Sequence, residues 1–156
     1  MQDQINIREA IRQDVPTLAQ FSLQIALETE DKQLGEEVLT CGVNAVFDDP
    51  KRGFYLVAEV EDKIVGSLMV TTEWSEWRNG DFWWIQSVHV EPEFRRRGIF
   101  KALYTEAKQR AKNTAKVCGC RLYVERDNTA AQATYAQLGF VETNYKVFEE
   151  FFPEDH

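Results

Sequence analysis

The stretch 88-VHVEPEFRRRGIFKALYTEAKQRAK-112 joins an apolar strand pattern to a helix pattern through three arginines and a glycine. The net charge of the chain is −8, so three adjacent cations need a reason. The first N–H groups of a helix lack intrahelical partners and carry partial positive charge, which favours anions. Gly98 removes the Cβ where backbone would approach a ligand. The stretch predicts a phosphate or pyrophosphate pocket; the alternative is a solvated run of charge.

Alternating and helical apolar patterns on both sides of this stretch predict an α/β domain with a mixed sheet. Asp14 is the expected N-cap of the first helix, and Asn128 and Gly139 are expected to bound the last one. Asn79-Gly80 is a strong short hairpin signal, because both turn residues must accept positive φ. We expect strands over 5–10, 53–60, 64–74, 82–90, 121–125 and 140–152, and helices over 14–28, 35–47, the segment after Gly98, and 128–139.

Length and composition predict one globular domain over residues 1–156, because 44% of the residues are hydrophobic and 28% are charged. No apolar run is long enough to span a bilayer. The N-terminal residues do not resemble a signal peptide, so we expect a cytoplasmic protein with no membrane partner. The charge of −8 argues against nucleic-acid binding. Three cysteines and two histidines lack the spacing of a metal site, so no metal is expected.

Two blocks of sequence carry a resemblance to a known family. The segments 88-VHVEPEFRRRG-98 and 128-NTAAQATYAQLGF-140 resemble V-x-V-x-P-E-x-R-R-x-G and N-x-x-A-x-x-x-Y-x-x-x-G-F of the GNAT superfamily of acetyl-CoA-dependent N-acetyltransferases. The pyrophosphate signature of the family is R/Q-x-x-G-x-G/A, which begins here at Arg95. Phe100 departs from its last position, where the family has Gly or Ala. The resemblance implies one GNAT-like α/β (α+β) domain, with four helices around a mixed sheet of six to seven strands splayed at the cofactor site.

The resemblance also implies where acetyl-CoA binds. Main-chain groups of Val88 and Val90 would pair with the pantetheine arm. The backbone N–H groups from Arg96 to Lys101 would hold the pyrophosphate, with Arg95 and Arg96 as counter-charges. Asn128 matches the position that contacts the amide arm; as a plain N-cap it would serve equally well. The implied cofactor residues are Val88, His89, Val90, Arg95, Arg96, Arg97, Gly98, Ile99, Phe100, Lys101, Asn128 and Tyr135.

The implied chemistry is direct attack of an amine on the thioester. Tyr135 matches the general acid that protonates the departing thiolate; without the surrounding motif it would read as a core tyrosine. The backbone N–H of Val88 would stabilise the oxyanion. The family often has a glutamate where this chain has Trp84, which cannot act as a base. Glu73 is the nearest candidate base, against the alternatives of an exposed strand-end carboxylate and a water relay.

The acceptor is expected to be a cationic amine, either a small molecule or a peptide. The acidic segment 28–37 carries net charge −4, and all four tryptophans lie within 74–84. Acidic groups beside aromatic rings bind cations. The alternatives are a solvated acidic loop and a hairpin stabilised by cross-strand aromatic pairs. The candidate acceptor residues are Glu28, Glu30, Asp31, Trp74 and Trp84.

Three alternatives stay open at this stage. The chain could be a non-catalytic acyl-CoA-binding or sensing module, which would need Arg95 to Gly98 but not Tyr135. Its donor could be another short acyl-CoA. The apolar segment 147–152 suits either the interface of a homodimer or an edge strand of the core.

Overall fold

Five strands and four helices form in residues 4–29 and 35–153, which are the parts of the chain that the computed structural model describes. The chain forms two units, Met1–Tyr123 and Val124–His156. Two short 3₁₀ turns, Arg12–Asp14 and Pro92–Phe94, precede α1 and α3. The elements are β1 (Asn6–Glu9), α1 (Val15–Thr29), α2 (Glu36–Asp48), β2 (Phe54–Val60), β3 (Lys63–Ser75), β4 (Gly80–Val90), α3 (Ile99–Lys112), β5 (Val117–Arg121) and α4 (Thr129–Gln137).

The sheet has the order β1-β2-β3-β4-β5. The first three pairings are antiparallel, and β5 lies parallel to β4 after the crossover through α3. This arrangement confirms the predicted α/β fold with a mixed sheet and four helices. The predicted number of strands is wrong, because the described residues contain five rather than six to seven.

Two of the predicted strands, both towards the C-terminus, differ from the structure. The strand expected over 121–125 lies at Val117–Arg121 instead, and its pairing with β4 ends at Trp84. The strand expected over 140–152 is not formed in the described residues. Within the unit Val124–His156, the only regular element described is α4, so an extended segment finds no strand there to complete its backbone hydrogen bonds. A dimer interface at 147–152 stays a prediction.

Layers of helix cover both faces of the sheet in the first unit. Residues of α1 and α2 pack on one face of β2, and α3 packs on the opposite face. Because β2 is covered on both faces, its residues read as a nearly continuous apolar run. Gly66 of β3 lets α3 approach closely, since a Cβ there would lie 2.9 Å from Ile99 Cγ2 and 3.1 Å from the His89 carbonyl oxygen.

Two local predictions differ from the structure. The loop between β3 and β4 has four residues, 76–79, because Ser75 pairs with Gly80. Only Asn79 of the expected two-residue turn has positive φ, at 47°. Asp14 does not cap α1; its Oδ2 accepts the Ile11 N–H at 2.8 Å. Asp14 thus accepts a hydrogen bond from the backbone three residues earlier in the chain. The helical spacing of apolar residues did not indicate this contact.

Candidate active site

A β-bulge interrupts β4 at Ser87 and Val88. Met69 pairs with Gln86 and Ser67 pairs with His89, so these two residues of β4 lie opposite the single residue Leu68 of β3. Ser87 has φ of +50°. A bulge removes main-chain groups from the regular ladder. Ser87 and Val88 therefore have no register partner of their own in β3.

The second half of β4 also lacks a neighbour on its other side within the first unit. The parallel pairing with β5 ends at Trp84 and Arg121, so residues 85–90 pair only with β3 among the described residues of that unit. Val88 and Val90, predicted to pair with a ligand, lie in this half. An unpaired strand edge can accept an extended ligand as if it were a further strand.

The start of α3 has the backbone of an anion site. Arg96 and Gly98 both have positive φ, of 63° and 81°, and Gly98 is the N-cap of α3. In the described chain no side chain caps this helix start. A Cβ at Gly98 would meet nothing within 4 Å, so this glycine is required by its φ rather than by crowding. Turns of this kind present successive N–H groups to a phosphate.

Arg95 is fixed by two contacts in front of this helix start. Its Nε donates to the Val90 carbonyl at 2.9 Å, and its Nη2 lies 2.9 Å from Glu28 Oε2. Glu28, an expected acceptor residue, therefore contacts an expected cofactor residue at the end of α1. The other two acidic residues of that prediction, Glu30 and Asp31, lie outside the described residues.

The remaining residues of this segment have varied surroundings. The Arg97 guanidinium lies 5.2 Å from the centre of the Phe94 ring. Ile99 is buried, Lys101 is exposed, and Phe100 stacks on Tyr104 with ring centres 6.2 Å apart. The bulky residue at position 100 is thus part of an aromatic stack on the first turn of α3.

The side chain of His89, a residue of β4, is buried against α1. Its ring centre lies 4.5 Å from that of Phe21, and its Nε2 lies 3.0 Å from Glu91 Oε1. The side chain belongs to the core, so only the main chain of His89 is suited to contact a ligand.

A second cluster forms where β3, β4 and β5 meet. Glu73 Oε1 accepts hydrogen bonds from Trp84 Nε1 at 2.8 Å and from Arg121 Nη1 at 3.0 Å. The Arg121 guanidinium lies 3.6 Å from the centre of the Phe82 ring. Tyr123 lies against Trp84, with ring centres 5.6 Å apart. A carboxylate of the neighbouring strand β3 thus lies beside Trp84.

The four tryptophans do not form one surface. Trp83 is buried and packs edge-on against Phe54, with ring centres 5.4 Å apart. Trp74 and Trp77, at the end of the hairpin, are 56% and 82% exposed. Successive residues of a strand point to opposite faces, which separates Trp83 from Trp84.

The unit Val124–His156 holds the other two predicted residues. Asn128 Oδ1 accepts the Ala131 N–H at 3.1 Å, so the predicted N-cap of α4 is confirmed. Tyr135 lies on the same helix and meets Phe140 edge-on, with ring centres 6.0 Å apart. Burial raises the pKa of Tyr135 above its ordinary value of 10.0, so the phenol is protonated at neutral pH.

Sequence reasoning missed Ser87, Arg121 and Tyr123. Ser87 has no distinctive residue type, because positive φ is usually signalled by Gly, Asn or Asp. Arg121 is the last residue of β5, the strand that a parallel crossover places next to β4, and Tyr123 follows it two residues later; that position could have indicated both.

A family model described as the acetyltransferase (GNAT) family matches residues 21–140. The chain belongs to the GNAT acetyltransferase family. It is 45% identical to the solved structure of a possible acetyltransferase from Clostridium difficile 630, with 96% of this chain and 99% of that chain covered and a TM-score of 0.88. No match was found among curated proteins.

Two further solved structures share the fold at lower identity. An aminoglycoside N-acetyltransferase in complex with CoA is 17% identical, with 97% of each chain covered and a TM-score of 0.78. An aminoglycoside acetyltransferase from an uncultured soil metagenomic sample, in complex with sisomicin, is 20% identical, with 96% of this chain and 97% of that chain covered and a TM-score of 0.73.

Family membership makes this GNAT chain an acyltransferase and implies acetyl-CoA as its donor. Within residues 4–29 and 35–153, no group of three or more His, Cys, Asp or Glu side chains is arranged to hold a metal ion. In the same part of the chain, no helix is both long and apolar enough to cross a bilayer.

Proposed function

We propose that this acetyltransferase transfers the acetyl group of acetyl-CoA to a primary amine of a small molecule or peptide, by direct attack in a ternary complex. The observation that carries the proposal is the unpaired half of β4. Its main-chain groups at Val88 and Val90 are suited to the amides of a pantetheine arm. Beyond them lie Arg95 and the uncapped start of α3, at the position where the pyrophosphate would follow.

Different residues would bind different chemical groups of the cofactor. The backbone N–H groups from Arg96 to Lys101 would bind the phosphate oxygens, and Arg95 and Arg96 would balance their charge. The Val88 N–H would stabilise the negative charge that develops on the thioester oxygen during attack. Asn128 would contact the amide arm in addition to capping α4.

Proton transfer requires one donor and one acceptor. As the bond from the carbonyl carbon to sulfur breaks, Tyr135 would give its proton to the CoA thiolate. Its raised pKa keeps that proton available at neutral pH. The attacking amine must first lose a proton, either to Glu73 or to a water molecule. One oxygen of Glu73 already accepts two hydrogen bonds, so the base role falls to its other oxygen.

We infer that the acceptor is cationic. Glu73 lies beside the ring of Trp84, Tyr123 packs against that ring, and Trp74 is exposed nearby on β3. Aromatic faces next to a carboxylate attract ammonium groups. The aminoglycoside acetyltransferases that share the fold act on polycationic amines, which is the class of acceptor to test first.

The test is release of free CoA from acetyl-CoA with a polyamine, an aminoglycoside and a lysine-containing peptide. Reactions without acceptor correct for the exposed thiols Cys41 and Cys118. Tyr135→Phe is run beside Tyr145→Phe, which removes an exposed hydroxyl from the same unit. Wild type and Tyr145→Phe should turn over one amine class, and Tyr135→Phe should lose roughly 10²–10⁴ in kcat.

Each other result has a definite meaning. Equal turnover by Tyr135→Phe would remove the acid role and keep the enzyme. Tight binding of acetyl-CoA without turnover of any amine would replace the proposal with a non-catalytic acyl-CoA-binding module.

A further inference from the structure

One face of α1 lies against the unpaired half of β4. Phe21, Gln24 and Glu28 are spaced at i, i+3 and i+7, which places them on the same side of the helix. The Phe21 ring contacts the His89 ring at 4.5 Å, and Glu28 contacts Arg95, which itself bonds the Val90 carbonyl. Gln24 therefore sits between two contacts that tie α1 to this end of β4.

The carboxamide of Gln24 has an unusual environment. Its Oε1 is buried, and it has no hydrogen-bond partner among the described residues. It is the one side-chain oxygen or nitrogen in the described part of the chain with this property. Leaving a buried acceptor unpaired destabilises the folded state. Most buried polar atoms in folded proteins are paired, so an exception calls for an explanation.

The shape of the Gln24 side chain does not by itself call for a carboxamide. A methionine has nearly the same shape and would avoid the cost of an unpaired oxygen, because replacing such a group by an apolar one is close to neutral or stabilising. The unpaired oxygen is an acceptor only, so the group that would satisfy it must carry an N–H or O–H. The attacking nitrogen of an amine is such a donor.

We propose that Gln24 Oε1 accepts a hydrogen bond from the acceptor amine and orients it towards the thioester at Val88. This inference rests on the proposed function. An amine has one lone pair for attack, and a hydrogen bond to one of its N–H groups restricts the direction of that lone pair. The contact requires an amine that keeps an N–H to donate after deprotonation, as primary and secondary amines do.

The experiment compares Gln24→Met with Gln20→Met, which makes the same change at an exposed position of the same helix. The measurements are the melting temperature, the Kd of acetyl-CoA by calorimetry, and kcat/KM for the best amine of the panel. Gln24→Met should keep or raise the melting temperature and leave the Kd unchanged. Its kcat/KM for the amine should fall by about 10–100-fold, the range expected for a hydrogen bond to a charged or developing-charge group.

A conservative variant separates chemistry from shape. Gln24→Glu keeps an acceptor oxygen at the same distance from the backbone and should recover most of the kcat/KM lost in Gln24→Met. Gln20→Met should match wild type in all three measurements.

Three outcomes would overturn the inference. A clear fall in the melting temperature of Gln24→Met would show that the carboxamide supports the fold. An unchanged kcat/KM in a stable Gln24→Met would show that the amine does not contact it, and would leave the proposed function standing. Absence of turnover by wild type with every amine would remove this inference together with the proposed function.

Discussion

The backbone at Ser87 can be perturbed in two opposite directions. Its φ of +50° lies in the left-handed region, which costs a residue with a Cβ roughly 1–2 kcal/mol. Ser87→Gly removes that cost and should keep the bulge. Ser87→Val adds a β-branched side chain that strongly prefers extended backbone, so it should draw Val88 back into the regular ladder with β3.

The expected effects of Ser87→Val on the kinetics follow from the position of the Val88 N–H at the bulge. If the Val88 N–H stabilises the oxyanion, its loss in Ser87→Val should lower kcat by roughly 10²–10³-fold. The KM for acetyl-CoA should change much less, since the start of α3 is untouched. The added strain of 1–2 kcal/mol should lower the melting temperature by about 2–8 °C.

The assay is steady-state kinetics with the best amine, together with thermal unfolding of each variant. Thr72→Val is the matched control, because Thr72 is exposed and pairs with Trp83 in regular register. Thr72→Val and Ser87→Gly should both keep a near-wild-type kcat. A folded Ser87→Val with wild-type kcat would refute the role given to the bulge, and so would a large loss in Ser87→Gly.

Three further predictions concern carboxylates. Glu28→Gln should change the KM for acetyl-CoA and leave the KM for the amine unchanged, because Glu28 contacts Arg95; an effect confined to the amine would restore its predicted acceptor role. Glu73→Gln should remove the acidic limb of the pH–rate profile; a limb that persists would assign the base role to water. Asp14 has its pKa lowered by hydrogen bonds from Arg8. Its contribution to stability is therefore complete above the unfolded value of 3.8 and lost as pH falls below it through the folded pKa. Acid unfolding followed by circular dichroism should show that loss in wild type and a flatter curve in Asp14→Asn; parallel curves would contradict it.

The parts of the fold that were predictable have local causes. The boundary between β4 and α3 was marked by Pro92 and Gly98, and the start of α4 was marked by Asn128, whose side chain caps it. Each of these residues restricts the backbone by its own covalent structure or by a hydrogen bond within three residues. Such restrictions are legible in a single sequence.

The parts that were missed depend on distant partners. Glu28 and Arg95 are 67 residues apart, and Glu73 and Arg121 are 48 residues apart. Neither pairing could be predicted, since a charge run does not show which opposite charge the fold will bring to it. The strand expected at 140–152 failed for a related reason. Alternation of apolar residues describes a face, but a strand also needs a neighbour with free backbone groups.

The Glu28–Arg95 pair also explains how an acidic chain tolerates cations at the start of a helix. Positive side chains there are opposed by the helix dipole. Arg95 offsets this by binding the Val90 carbonyl and Glu28, and both partners of the ion pair are nearly half exposed. An ion pair that is this exposed to solvent contributes only about 0–1 kcal/mol to the stability of the fold. A pyrophosphate could therefore take Arg95 from Glu28 at little cost. The exchange would release Glu28 from Arg95, which is why Glu28→Gln should affect the KM for acetyl-CoA.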